Sequence, residues 1–357
     1  LKGEEPEIFM LSLFLPALII IACGLAILSA LSFHFFVLQL VWVVVGVLVV
    51  AAFWFFDWRA LFSARWVVWG VYIGALLLML AAYLHGPVIR NTRSWLVLGP
   101  ITLQPVEFMK VALILLYAYY FSRRHLAVAR WRYIFTSFFF FVIPAAIAVR
   151  LPDVGSAVIF AGIWFGFLLV SGLPLKRIAV AAVVFALAAG FIWFYVLKDY
   201  HRARIAGFFS PQTNALGINY SLVQSKIAIG SAGFFGKGYG QGTQAELGFL
   251  SEPTEDFIFA AFVEEWGVFG ALVLLVAFVA LIWAILRVGM VAGENFETFI
   301  CLGVAIMFGV QFLLNAGSAT GLTPVVGVTF PFMSYGGSSM LANSFLLALV
   351  NAIRRRS

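Results

Sequence analysis

The sequence predicts an all-α polytopic membrane protein, with about ten transmembrane helices and a large extracytoplasmic loop between spans seven and eight. Three observations predict it. First, 64% of the 357 residues are hydrophobic and only 10% are charged, whereas a soluble domain carries about 25% charged residues. Mean hydropathy is +1.07. This balance excludes a soluble globular domain, a disordered chain and a disulfide scaffold. Second, the apolar residues fall in runs near the roughly 20 residues that a spanning helix needs. They do not form the ~10-residue alternating segments of a membrane barrel. Third, the basic residues are divided unequally between the connections.

The runs lie at 8–32, 36–56, 66–84, 105–121, 133–149, 156–172, 178–197, 267–286, 297–318 and 334–353. The first does not read as a cleaved signal, because it is longer than a signal core and follows Glu4, Glu5 and Glu7 rather than a basic cluster. Cys23 and Cys301 fall inside predicted spans and read as small apolar packers. His34, His85, His125 and His201 are scattered, without metal-ligand spacing.

Ten spans place both termini on one side. That side would hold Lys2, Arg59, Arg65, Arg123, Arg124, Arg130, Arg132, Lys176, Arg177, Arg287 and Arg354 to Arg356. The short connections on the other side carry only Arg90, Arg93 and Arg150. The positive-inside rule then predicts cytoplasmic termini and an external segment 198–255. The net charge of +7 reflects this bias and does not point to nucleic acid as a partner. The whole chain, 1–357, is expected to be one integral membrane domain, with 198–266 as its large extracytoplasmic loop.

The external side holds nearly everything unusual. Gly236-Lys237-Gly238-Tyr239-Gly240-Gln241-Gly242-Thr243 places glycine at every second position. Such a run cannot hold a helix, since each glycine costs about 1 kcal/mol there. It is either a flexible loop or a place where backbone approaches a ligand closely. A nucleotide-binding P-loop is excluded, because Lys237 is followed by Gly238 rather than Ser or Thr. Residues 220–229 mix apolar and polar positions at helical spacing and predict a short interfacial helix.

Ionisable residues at membrane depth are costly and mark sites. Glu107 and Lys110 follow Pro105 at the start of the fourth span and share one helix face. They form either a local ion pair at a helix N-terminus or a charge pair lining a cavity. Asp153 suits a helix cap between spans five and six. Asp256 precedes the apolar residues 257–263, and Glu264 and Glu265 follow them. Because 267–286 is long enough to span alone, 256–265 is spare helix. Asp256 is then either a cap or a carboxylate at a cavity lip, able to take a proton. Segment 317–339 is apolar yet broken by Gly and Pro. Irregular backbone at membrane depth persists only where it is buried or lines a wet cavity.

Together these stretches resemble the SEDS family (shape, elongation, division and sporulation proteins). The resemblance rests on Arg93-Ser94-Trp95-Leu96, Gly99-Pro100, Gln104-Pro105, Glu107 and Lys110. It continues through Asp199-Tyr200-His201-Arg202-Ala203-Arg204-Ile205, Gln224-Ser225 and Gly236-Lys237-Gly238. It ends with Gly242-Thr243-Gln244, Glu252, Asp256 to Ala260, Glu264-Glu265, Pro331-Phe332 and Ser334 to Ser339. The Gly-Thr-Gln piece is more similar to the elongation branch than to the division branch. Leu151, Ala232 and Glu255 depart from the usual family residues.

The resemblance implies a peptidoglycan glycosyltransferase that polymerises lipid II at the outer face of the bacterial cytoplasmic membrane during cell elongation. The implied partners are lipid II, the nascent glycan, membrane lipids and a class B penicillin-binding protein as crosslinking transpeptidase. An α-linked donor giving a β(1→4) product is inverted, and a readily leaving pyrophosphate requires only a base for the acceptor hydroxyl. Asp256 is expected in that role. Arg202, Arg204, Lys226 and Lys237 are candidates to neutralise pyrophosphate, with or without a divalent cation such as Mg or Mn and without nucleotide. Glu107, Lys110, Asp153, Ser334, Tyr335 and Ser338 are expected to line the cavity. Two rival readings are a flippase for the lipid-linked precursor and a non-catalytic scaffold. No inverted repeat supports the first, and the second needs no buried acid.

Overall fold

The computed structural model describes residues 6–55, 58–62, 64–88, 92–99, 101–123, 131–172 and 219–355, with isolated positions between 174 and 217. In chain order these form α1 (Pro6–Leu31), α2 (Phe33–Ala52), α3 (Trp58–Phe62), α4 (Arg65–His85), β1 (Leu96–Leu98), β2 (Ile101–Leu103), α5 (Pro105–Ser122), α6 (Trp131–Arg150) and α7 (Val154–Val170). Beyond the expected external loop lie α8 (Tyr220–Ser231), α9 (Thr243–Glu246), α10 (Ile258–Val291), α11 (Asn295–Thr320) and α12 (Gly337–Arg354).

Seven of the described helices (α1, α2, α4, α5, α6, α10 and α11) are long and apolar enough to cross a bilayer, and α7 is a shorter apolar helix. The chain is a multi-pass helical membrane protein. Most of the expected span 178–197 lies outside the described residues. The expected last span, 334–353, is a helix only from Gly337, because Ser334, Tyr335 and Gly336 belong to the preceding loop, and this helix, α12, is not among those apolar enough to cross a bilayer. A two-stranded antiparallel hairpin, β1 with β2 in register Leu96↔Leu103, is a small addition to the expected all-helical fold. Gly99 turns it at φ +64°, a conformation that glycine adopts without steric cost.

α5 is the central helix, with 83% of its span buried against 11% for α2. Tyr117 and Phe121 of α5 pack on Phe167 of α7 at ring separations of 5.4 and 5.8 Å. Tyr117 also meets Phe140 of α6 at 6.2 Å. Aromatic pairs of this kind add about 0.5–1.5 kcal/mol beyond their buried area. Between α7 and α11, Gly162 and Gly166 meet Val310 and Ile306 so closely that a Cβ on either glycine would force a shift. This is the small-residue spacing that lets membrane helices approach.

α10 is two helices in one. It breaks at Gly267, where φ is +67° and ψ is −167°. The spare segment expected at 256–265 is thus helical from Ile258 to the break. A break in lipid strands backbone polar groups, which must be paired. The glycine run pairs them. Lys237 N–H and Gly238 N–H donate to the Glu264 and Glu265 carbonyls at 2.9 and 3.0 Å. Val268 N–H and Phe269 N–H donate to the Gly233 and Phe234 carbonyls at 3.1 and 2.9 Å. A Cβ at Gly236 or at Gly267 would overlap the other strand's backbone. The close approach that the glycines permit is therefore to the protein's own broken helix.

α8 carries the interfacial segment expected at 220–229, but its buried face of Leu222, Ser225 and Ala228 docks on protein. Ser225 Oγ donates to the Ala319 carbonyl at 2.7 Å, near the end of α11.

Candidate active site

The broken segment 321–336 is the hub. It leaves α11 at Gly321, whose left-handed φ of +77° ends the helix. Phe330, Phe332, Met333 and Ser334 are buried, whereas 321–327 is partly exposed, with Leu322 at 77%.

Asp256 sits two residues before α10 and is half-buried. Its carboxylate lies over Gly327, close enough that a Cβ there would come within 3.2 Å of Oδ2. Gly327 has φ +69°, so any side chain at that position would be both strained and crowded against the acid. The residues before Asp256 are stitched to the loop. Ser334 Oγ donates to the Glu255 carbonyl at 2.7 Å and accepts from Phe330 N–H at 2.8 Å. Tyr335 N–H donates to the Thr254 carbonyl at 2.9 Å.

The start of α5 reaches the same hub. Ser338 Oγ, in the first turn of α12, accepts from Gln104 N–H at 2.9 Å. Three residues on, Glu107 and Lys110 form an ion pair at 2.6 Å, with side chains 5% and 1% exposed. Such burial is tolerable only while both partners are present. Gly155 of α7 lies flat against the Val326 and Gly327 carbonyls, which brings Asp153 in. The Asp153 side chain caps α7, accepting from Ser156 N–H at 3.0 Å and from Ser156 Oγ at 2.8 Å. Burial raises its carboxyl above the usual range, against the lowering by Ser156 and, more weakly, by the nearby Lys110.

Seven expected site residues thus converge: Glu107, Lys110, Asp153, Asp256, Ser334, Tyr335 and Ser338. The expected basic residues do not join them in the same way. Lys237 Nζ donates to Glu264 at 2.6 Å and to Thr243 Oγ1 at 2.8 Å. Glu264 is fully buried and also accepts from Gln244 N–H and Ala245 N–H, so it anchors α9 to α10. Lys226 is exposed and lies over Gly321, where a cation complements the C-terminal carbonyls of α11. Arg202 is partly exposed, and Arg204 lies outside the described residues.

Similarity to known proteins fixes the family. The family profile FtsW/RodA/SpoVE, "Cell cycle protein", matches residues 6–357. The chain belongs to the FtsW/RodA/SpoVE family. Among curated relatives, the peptidoglycan glycosyltransferase MrdB of Escherichia coli (strain K12) is 35% identical over 76% of this chain and 73% of its own. Stage V sporulation protein E of Bacillus subtilis (strain 168) is 33% identical over 71% and 69%. Among solved structures, a chain from a peptidoglycan synthase complex that coordinates polymerization and crosslinking superposes with TM-score 0.82 at 28% identity. It covers 96% of this chain and 97% of that chain. The rod shape determining protein RodA of Thermus thermophilus gives 0.72 at 26% identity, over 97% and 96%.

Two uncharged residues of this FtsW/RodA/SpoVE chain also belong to the site. Gln39 and Asn315 are both 1% exposed, and both bind the hub. The available signal was an uncharged amide within a spanning helix, which in lipid needs a partner as a charge does.

Proposed function

We propose that this chain is a peptidoglycan glycosyltransferase that polymerises lipid II, with Asp256 as the general base. The observation that carries the reading is the half-buried Asp256 carboxylate over Gly327, in a hub built by α5, α7, α10, α11 and α12 of a family whose members include named glycosyltransferases. In the reaction, the acceptor hydroxyl oxygen attacks the donor's anomeric carbon and its proton passes to Asp256. The bond from that carbon to the pyrophosphate breaks, and the electron pair leaves with the lipid pyrophosphate. Attack from the opposite face inverts the anomeric centre. A positioned base of this kind contributes about 10²–10⁴-fold.

The Glu107–Lys110 pair gives the hub a buried ion pair, with Asp153 close to it. Arg202, Arg204, Lys226 and Lys237 remain the candidates to neutralise pyrophosphate, with Lys237 held by Glu264. A divalent cation has no preformed protein cage among the described residues, where no three His, Cys, Asp or Glu side chains converge. Its place would be on the pyrophosphate oxygens, which suit a hard cation. The termini are cytoplasmic in this reading, the hub faces outward from the cytoplasmic membrane, and a class B penicillin-binding protein crosslinks the product.

The test uses purified protein with lipid II in detergent and a divalent cation, with glycan length read on a gel. Polymer from the wild type, and none from a folded Asp256→Ala variant, supports the reading. No polymer from the wild type even with its crosslinking partner, alongside lipid II crossing vesicle membranes, would establish the flippase instead.

A further inference from the structure

We infer that two buried amides, Gln39 of α2 and Asn315 of α11, are positioning residues for the Asp256 carboxylate. The inference rests on the assignment of Asp256 as the base, and it adds to the site two residues from inside apolar spans.

Asn315 acts directly on the backbone of the acid. Its Nδ2 donates to the Asp256 carbonyl at 3.0 Å and to the Val328 carbonyl at 2.7 Å. One amide thus ties the residue bearing the carboxylate to the residue after Gly327, over which that carboxylate lies. An apolar residue of the same size would remove both of these bonds and with them the tie between the two segments.

Gln39 acts one step further out. Its Nε2 donates to the Ser334 carbonyl at 3.2 Å, and its Oε1 accepts from Gly336 N–H at 3.3 Å. Ser334 and Tyr335, between these two bonds, are the residues that hold Glu255 and Thr254. The path from α2 to Asp256 is therefore an unbroken series of hydrogen bonds and two peptide units. α2 is otherwise peripheral, and its buried residues are Gln39 and Gly46. The face it turns inward carries Phe35, Gln39, Trp42 and Gly46, at helical spacing. Phe35 packs tilted against Tyr335 at 4.7 Å, Trp42 covers Gly337, and Gly46 admits Ser344. A lone amide in an apolar helix is costly unless it is paired, and both ends of this one are spent on the loop that carries Asp256's neighbours. A base must be held to within a fraction of an ångström, since a displacement near 1 Å can cost about 10²-fold in rate.

The test is steady-state polymerisation of lipid II by the full chain in detergent, with Gln39→Met and Asn315→Leu as near-isosteric variants and Gln39→Glu as the conservative one. Folded fraction is measured by thermal unfolding and used to normalise the rates. The inference predicts that kcat falls between about 10- and 100-fold, that KM for lipid II stays within about twofold, and that Gln39→Glu, which keeps the acceptor for Gly336 N–H, loses less than Gln39→Met. A normalised kcat equal to wild type in both isosteric variants, or a change confined to KM, overturns it. Should Asn315→Leu fail to fold, Gln39→Met decides alone, because α2 lies at the edge of the bundle. Asp256→Asn is run in parallel. If it still polymerises, the base assignment fails and this inference fails with it. If it is dead while the amide variants keep kcat, only this inference fails.

Discussion

Gly236 and Gly267 pack backbone against backbone, and neither position has room for a Cβ. Gly267 breaks α10 at φ +67°, and Gly236, at φ +83°, lets the glycine run supply the hydrogen bonds that the break removes. The two glycines are one device. Alanine at either should destabilise the protein by at least about 1–3 kcal/mol from the backbone conformation alone. Thermal unfolding in detergent checks this. Because both substitutions open the same contact, the double variant should lose less than the sum of the singles.

Glu264 is the second anchor of that loop. Replacing it with Ala strands Lys237 Nζ and the Gln244 and Ala245 amides, and breaking a buried pair from one side costs about 3–5 kcal/mol. Lys237→Met should cost less, since Glu264 keeps its backbone donors. Unfolding midpoints of the two variants give the order. A larger loss for Lys237→Met would contradict the anchoring role.

Glu107 and Lys110 predict a coupling. Glu107→Gln or Lys110→Met alone leaves an unpaired charge in a buried site and should cost about 3–5 kcal/mol. The double variant removes both charges and should recover part of that loss. A double-mutant cycle in detergent, read by unfolding, measures the coupling directly.

Asp153 predicts a pH dependence. Its carboxyl in the folded protein lies above its ordinary value of 3.8, so the folded state holds that proton more tightly. The stability it contributes is fully present below 3.8 and is lost as pH rises through the raised folded value. Asp153→Asn keeps an acceptor for Ser156 N–H and should flatten the stability profile over that window. Asp153→Ala also loses the cap, costing about 1 kcal/mol more. Unfolding midpoints collected across the acid range separate the two variants.

Much of this was legible before the fold was known. The membrane class and the spare helix before residue 267 followed from where charges fall in an apolar chain, whereas the grouping of Glu107, Lys110, Asp153 and Asp256 is what the family resemblance implied. The glycine run was legible as either a flexible loop or a close approach to a ligand, but not as approach to α10, because a helix break appears only when φ and ψ are seen. Lys237 looked like a free cation because its partner, Glu264, is distant in sequence. Gln39 and Asn315 carry no charge, and the geometry that gives them meaning lies across 295 and 59 residues of chain.

The central claim is that Asp256 takes the proton of the acceptor hydroxyl. The initial rate of lipid II polymerisation by Asp256→Asn, at matched folded protein, tests it most directly, because the amide keeps the shape and removes the base. The account predicts a fall of about 10²-fold or more. A rate within about threefold of wild type, too small a loss for a general base, would contradict it.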